Sequence, residues 1–592
     1  MKQEMDSILK DNPGQMDPFT LRELEEAISH LKIGKAAGLD GITTEVIKHF
    51  GPRTRAWLLD LMNSCAVSYS IPKAWRKARV VALLKPGKDP NLKKSYRPIS
   101  LLCILYKLYQ RLIMARIAPT VEEQMSPDQA GFRPGRSCCD QLLNLTQYIE
   151  DGFEKKQVTG AVFVDLTAAY DTVNHRILLL KVARITKNTK IVRILQSLLK
   201  DRTFYVEMDG QKSRWRSQKN GLPQGSVLAP TLFNIYTNDQ PEFDQIRRFI
   251  YADDLCLATQ STDFKVIERR LTEALKALTA YYRRNSLNAN PSKTQVCAFH
   301  LNNHKANRKL DIWWNDEKLE NNCFPVYLGV TLDRTLSFAQ HAKNVKAKIA
   351  TRNNLLGKLA NSSWGANPET LRTTALALSY SAAEYCCPVW ARSSHASKID
   401  PELNKACRTI SGTLKATPLP AVYRLAGIAP PQIRRDTNTR IQKHKQEVDP
   451  RHALYNYEAP KRRLKSRRSF MTTESLDPNV SANYRLDQWR QWDSLQPDEA
   501  IQDPREQLPT GTSLSRRDWV TLNRARAKVG RTGKNLLKWG LADTSECPCG
   551  NPVQTMEHIL RDCKLGPSCT DTDLLESNTK AKLFIQYWRD KI

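Results

Sequence analysis

The chain has 592 residues, with 91 Lys and Arg against 61 Asp and Glu, a formal balance of +30. That length exceeds one core and implies several units of roughly 100 to 200 residues, while the cation excess points to a polyanionic partner, nucleic acid first, because each cation placed on a phosphate releases counterions. The 14 cysteines are scattered, several of them (Cys103, Cys256, Cys297) in apolar runs, which suits buried thiols in a reducing intracellular setting; no stretch reaches the ~18 apolar residues of a membrane span, and MKQEMDSILK lacks a signal-peptide core.

In chain order, residues 17–50 read as helix, loop and helix. Asp17 is placed to cap a run carrying Leu21, Leu24, Ala27, Ile28 and Leu31, and the Gly- and Lys-bearing KIGKAAGLDGI follows. From 73 to 118 a basic strand, ARVVALLKPGKDP, leads through a loop into a helix over PISLLCILYKLYQRLIMARI. DQAGFRPGR at 128–136 is a Gly and Arg loop, followed by an amphipathic helix to about Phe153. Strands and helices alternate over 161–260, and 261–285 is helical with Leu271, Leu275, Leu278 and Tyr282 on one face. Mostly helical sequence continues to about 430 and then turns polar. KRRLKSRR at 461–468, with six cations in eight residues, reads as a linker or basic arm. A Cys and His cluster lies at 547–563. The class is α+β.

The chemistry concentrates in FIYADDLCLA, residues 249–258. Phe249–Tyr251 and Leu255–Ala258 are strand-like, and Ala252, Asp253 and Asp254 fit the tip of a tight hairpin. A solvated Asp-Asp turn is the plain reading, since turns favour Asp. A third acid changes the balance: Ala161–Val164 is a buried-strand pattern that ends on Asp165. Three carboxylates converge only if something cancels their repulsion, and two Mg2+ ions about 3.5 to 4 Å apart do so while activating an attacking hydroxyl and holding a leaving phosphate oxygen.

These residues lie among blocks that resemble, in order, the reverse transcriptases of jockey-like non-LTR retrotransposons. KAAGLDGI and KARVVALLKPGKDPNLKKSYRPISLL are similar to the first fingers motifs and DQAGFRPGRSCCDQL to the next block. FVDLTAAYD resembles motif A, NGLPQGSVLAPTLFNIYTND motif B, FIYADDLCLA motif C, NPSKTQ motif D and YLGVTLDRTLSFAQH motif E. The resemblance runs over about 32–340 and implies roles. Asp165 and Asp253 would bridge two Mg2+ ions, with Asp254 the weaker member. Tyr170 matches the steric gate that excludes a ribose 2′-OH; the alternative is a core tyrosine. Gln224 would touch the incoming nucleotide, and Gly221 and Gly225 would let backbone approach template and sugar, or serve as turn glycines. Arg97, and less directly Lys85, would hold the triphosphate. Lys293 would protonate the leaving pyrophosphate, or stand as a solvated lysine.

In CPCGNPVQTMEHILRDC, Cys547, Cys549, His558 and Cys563 suit a tetrahedral Cys3His zinc site, with His558 and Cys563 near one face of a short helix and Cys569 competing. Unliganded thiols are the alternative; the family's CCHC tails, thought to bind nucleic acid, favour the metal.

The resemblance thus implies a right-hand polymerase followed by a helical basic region and a small zinc-knuckle-like tail. The expected layout is a leader over 1–19, fingers and palm over 20–340 (core about 66–335), a helical thumb and connector with the basic arm over 341–480, and the tail over 481–592. The expected activity is RNA-directed DNA polymerisation from a primer 3′-OH, with RNA template, DNA primer or target and dNTPs as partners. An RNA-directed RNA polymerase and a non-catalytic RNA-binding protein that retains the fold are the alternatives. Family members carry an endonuclease upstream, whereas about 16 residues precede the first helix here, which fits a fragment, a truncated copy or a late-starting gene model. Nuclear work is implied by the family alone, and KRRLKSRR reads equally as an import signal or an RNA-binding arm.

Overall fold

The computed structural model describes residues 2–10, 14–460, 463–464, 468–497, 501–589 and 591–592. KRRLKSRR lies partly outside them, since 461–462 and 465–467 are not described. The chain forms two compact units, Met1–Gln141 with Lys156–Pro325, and Leu142–Lys155 with Val326–Ile592.

In the first unit the helix Leu21–Ser29 buries Leu24 and Ile28, but its cap is Thr20 and not Asp17. Glu23, three residues on, decides this. The Glu23 amide donates to Thr20 Oγ1 at 3.3 Å and the Thr20 amide to Glu23 Oε2 at 2.9 Å, so two orphan donors are satisfied reciprocally. The expected helix over PISLLCILYKLYQRLIMARI starts only at Ile104 and runs to Gln124. Tyr96–Leu101 is instead a strand, antiparallel to Lys77–Leu84. It lies at the end of its sheet, the place where Pro98, lacking an N–H, is tolerated.

That outer sheet runs in the order Tyr96–Leu101, Lys77–Leu84, Arg202–Met208, Gln211–Lys212, with Arg216–Gln218 also paired to Arg202–Met208. The central sheet runs Glu320–Asn321, Gln295–Phe299, Val158–Val164, Asp254–Ser261, Arg247–Tyr251. Its middle strand, Val158–Val164, is buried at every residue. The helix Phe264–Arg284 packs on this sheet, burying Leu271, Leu275, Leu278 and Tyr282 as the periodicity predicts; each such side chain contributes roughly 1.5 to 3 kcal/mol. Gly160 permits the approach, since a Cβ there would stand 2.3 Å from Ile267 Cγ2.

The second unit is mainly helical. Its longer helices include Ala339–Gly357, Asp400–Ser411, Pro431–Val448, Ser481–Asp493 and Arg516–Arg526. Buried guanidinium groups cross-link them: Arg435 pairs with Asp400 at 2.5 Å and Arg424 with Asp493 at 2.8 Å. Arg516 Nη1 donates to the Ile410 carbonyl at 2.7 Å, and the Trp519 indole N–H donates to the same oxygen at 3.0 Å. No helix among the described residues is long and apolar enough to cross a membrane.

Candidate functional site

The strands Arg247–Tyr251 and Asp254–Ser261 pair antiparallel with Tyr251 opposite Asp254, so their loop is only Ala252 and Asp253. Asp254, expected at the tip, is the first residue of the returning strand. A two-residue loop of this kind needs positive φ, and Ala252 adopts +58°, a cost of about 1 kcal/mol or more for an L-residue.

A neighbouring loop holds it there. Gln129 Oε1 accepts from the amides of Ala252 and Gly131, both at 2.8 Å, and Gln129 Nε2 donates to the Ala252 carbonyl at 3.3 Å. Gly131 must be glycine for this contact, because a Cβ would lie 2.3 Å from the Ala252 nitrogen. Gln141 Nε2 donates to the carbonyls of Ile250 and Asp128, each at 3.2 Å, and Asn234 Nδ2 donates to the Gly131 carbonyl at 2.7 Å. DQAGF is therefore a clasp on the acidic hairpin. Sequence reading found the loop but not its task; the only signal was a glutamine two residues before a glycine.

Asp165 follows Val164, which pairs with Leu255; one step further along the ladder brings Asp165 beside Asp254. Asp165 Oδ2 accepts from Asn290 Nδ2 at 3.0 Å, its amide donates to Thr294 Oγ1 at 3.2 Å, and Lys293 Nζ stands 3.8 Å from Oδ2. Asp253 and Asp254 have exposed edges at the hairpin tip. Even so, the protein packed around them raises both carboxyls above the usual range, Asp254 to about 6. Burial is the first cause, and neighbouring carboxylates add to it, Asp165 for Asp253, where a backbone hydrogen bond partly offsets the rise, and both Asp253 and Asp165 for Asp254. Three acids have been gathered where their charges oppose one another, a donor set suited to hard divalent cations.

Around them, Tyr170 stacks on Phe233 with centroids 4.7 Å apart and planes 10° from parallel. Its hydroxyl is buried without a hydrogen-bond partner among the described residues. The Tyr170 carbonyl accepts from the Leu222 amide at 2.8 Å, which ties NGLPQG to the acid-bearing segment. His175 Nε2 lies 2.7 Å from the Gly221 carbonyl. On the other side of that loop the Ser100 amide donates to the Gln224 carbonyl at 2.7 Å, and Gly225, at φ +128°, has no room for a side chain, since a Cβ would sit 2.5 Å from the Ser100 oxygen. Arg97 is exposed on the same strand as Ser100. Lys85 Nζ donates to the Lys94 carbonyl at 2.9 Å. Backbone contacts thus link the acids, Tyr170, Gln224 and the strand of Arg97, while Lys85 faces its own loop.

Comparison with known proteins bears on this arrangement. Residues 83–332 match the family model described as reverse transcriptase (RNA-dependent DNA polymerase). The chain carries a reverse transcriptase domain. It is 33% identical over 374 residues to a probable RNA-directed DNA polymerase from transposon BS of Drosophila melanogaster, covering 61% of this chain and 41% of that protein. The RNA-directed DNA polymerases from the mobile element jockey of Drosophila funebris and Drosophila melanogaster are 32% and 31% identical over 57% and 60% of this chain. The chain spans about two fifths of the length of these relatives, 41%, 37% and 39%. Asp165, Tyr170, Gln224, Asp253, Asp254, Arg97, Lys85 and Lys293 all fall within the reverse transcriptase domain.

The Cys and His cluster lies beyond that domain. The ligand atoms of Cys547, Cys549, His558 and Cys563 are all within 4.8 Å of one another. A tight turn, in which Gly550 at φ +94° donates to the Cys547 carbonyl at 2.9 Å, presents the first two thiols. Thr555 caps the helix Met556–Arg561 that carries His558. Cys563 is past that helix rather than on its face; its amide returns to the His558 carbonyl at 2.8 Å. Cys549 Sγ is 3.2 Å from His558 Nε2 and Cys547 Sγ 3.7 Å from Cys563 Sγ. Cys569 stays out of the group: its thiol donates to the Thr570 carbonyl at 3.8 Å, and burial pushes it up to about 12. Three thiols and one imidazole at this spacing fit zinc.

Proposed function

We propose that this chain is an RNA-directed DNA polymerase of a non-LTR retrotransposon, extending a primer 3′-OH on an RNA template with dNTPs. The observation that carries the reading is the convergence of Asp165, Asp253 and Asp254 at adjoining strand ends, with Asp253 and Asp254 raised in pKa by burial and by neighbouring carboxylates, Asp165 for both and Asp253 also for Asp254. Asp165 and Asp253 would hold two Mg2+ ions, with Asp254 contributing less; when bound, such a pair lowers the pKa of an attacking hydroxyl and steadies the leaving oxygens. Tyr170, braced by Phe233, would exclude a 2′-OH. Gln224, Gly225, Arg97 and Lys85 would seat the nucleotide, and Lys293 would supply a proton to the departing pyrophosphate. Fingers and palm would occupy about 20–340, the helical thumb and connector about 341–480. The tail, 481–592, would hold one zinc on Cys547, Cys549, His558 and Cys563 and add contacts to template or target. An RNA-directed RNA polymerase would use the same acids; the stacked Tyr170 supports the deoxynucleotide reading.

The test is extension of oligo(dT) on poly(rA) with Mg2+ and the purified protein. Absence of dTTP incorporation overturns the proposal. Tyr170→Ala should raise ribonucleotide use relative to deoxyribonucleotide use about tenfold or more; an unchanged ratio would make Tyr170 a packing residue alone.

A further inference from the structure

Beyond the acids and the nucleotide contacts, the outer sheet carries a patch that polymerisation chemistry does not need. The segment QKSRWRSQK at 211–219 contains Lys212, Arg214, Arg216 and Lys219, and no acid occurs from Gly210 to Asn238. All four cations are exposed. Trp215 stands among them with 51% of its surface exposed, so a face of the indole is open to a ligand.

The ring is held in place on both counts that matter for stacking. Tyr205, 8% exposed, meets it edge-on with centroids 5.0 Å apart and planes at 81°. Lys77 Nζ lies 5.5 Å from the indole centroid, and Lys212 Nζ lies 5.9 Å from the Tyr205 ring. Strand pairing sets this geometry: Lys77 is opposite Thr203, and Arg216 opposite Phe204. The acids nearby are few. Glu207 stands across from Lys212 and 3.7 Å from Arg79, and Asp209 belongs to the turn before Gly210.

An aromatic ring fixed among cations that outnumber the nearby acids is how proteins take unpaired nucleic acid, with a base on the ring and phosphates on the cations. A duplex is a poor fit, because its bases are already stacked on one another. We propose that the hairpin region Arg202–Lys219 is a docking platform for single-stranded RNA, with a base stacked on Trp215 and adjacent phosphates held by Arg214, Arg216 and Lys77. Taking RNA as the strand rests on the polymerase reading above, in which the unpaired strand is the template.

The experiment is fluorescence-anisotropy binding of the full chain to oligo(rA), to oligo(dA) and to blunt RNA duplex. Trp215→Ala and Trp215→Leu should each weaken oligo(rA) binding about tenfold or more, and Trp215→Phe should stay within about threefold of wild type, since a smaller ring still stacks. Arg214→Gln with Arg216→Gln should lower the slope of log affinity against log salt by about two. Duplex binding should move less than twofold with any Trp215 variant. The platform is overturned if Trp215→Leu binds oligo(rA) like wild type, if duplex binding falls equally, or if the loss appears on oligo(dA) alone. Single-nucleotide addition on a saturating primer–template, measured on the same preparations, should be near wild type for Trp215→Ala. Failure of the wild-type protein to add nucleotide would sink the polymerase reading and leave the oligo(rA) comparison standing.

Discussion

The aspartate group and the Cys and His group both gather side chains of cation-binding type, but they rest on different foundations. Asp165 and Asp254 extend from Val158–Val164 and Asp254–Ser261, strands whose apolar residues are in the core whether or not a cation is bound. Cys547 and Cys549 sit on a turn at Gly550, and His558 on a helix of six residues, too short to be stable alone. The first is a frame that pays for crowded charge with packing; the second is a set of short pieces for which, on the proposed zinc site, metal binding and local folding would be one process. Removing metal should therefore silence one and unfold the other.

The largest effect expected is on chemistry. Asp165→Asn and Asp253→Asn should each cut nucleotide addition by about a thousandfold, with RNA affinity within about threefold of wild type and circular dichroism unchanged. Activity above about a tenth of wild type in either variant would break the two-metal assignment.

Next in size is the tail. The full chain should carry one equivalent of zinc by elemental analysis, and a strong chelator should open residues around 545–565 to hydrogen exchange while the central sheet stays protected. His558→Ala should reproduce that opening without chelator. A protected, zinc-free tail would leave these residues as buried thiols and a core histidine.

Gln129→Ala sharpens the contrast from the other side, because it loosens the frame without touching an acid. It removes three hydrogen bonds that hold Ala252 and Gly131, and should cost about 2 to 4 kcal/mol of stability and lower kcat about tenfold with little change in KM. A rise in KM alone, with kcat unchanged, would mean that the clasp positions substrate rather than the hairpin.

The smallest effect is in pH. Asp253 and Asp254 are raised in the folded protein, Asp254 to about 6, so their contribution to stability is full below the unfolded carboxyl pKa of about 4 and is lost as pH rises through 6. Melting of the metal-free protein should fall slightly between pH 5 and 7.5, and Mg2+ should recover more of it at the higher pH. Asp254→Asn should flatten both trends. A metal-free protein whose stability rises over that interval through these groups would contradict the crowding of acids.

Periodicity and residue chemistry were enough to read the two strands of FIYADDLCLA, the strand leading to Asp165, the stripe Leu271, Leu275, Leu278 and Tyr282, and the four Cys and His side chains that meet in the tail, because each depends on neighbours within one short segment. Local signals failed where two candidates competed nearby: Thr20 displaced Asp17 as a cap through Glu23, and Pro98 fell in an edge strand rather than a helix. Other features had next to no local signal. Gln129 reaches Ala252 across 123 positions of sequence, and Tyr205 and Trp215 become a platform only when Lys77 pairs beside them. The sequence by itself determined which residues are able to do chemistry, since carboxylates, thiols and cations carry that capacity wherever they sit. Tertiary structure alone decided which of them meet and at what pKa, because convergence, burial and a held ring are set by long-range packing that no short stretch of chain encodes.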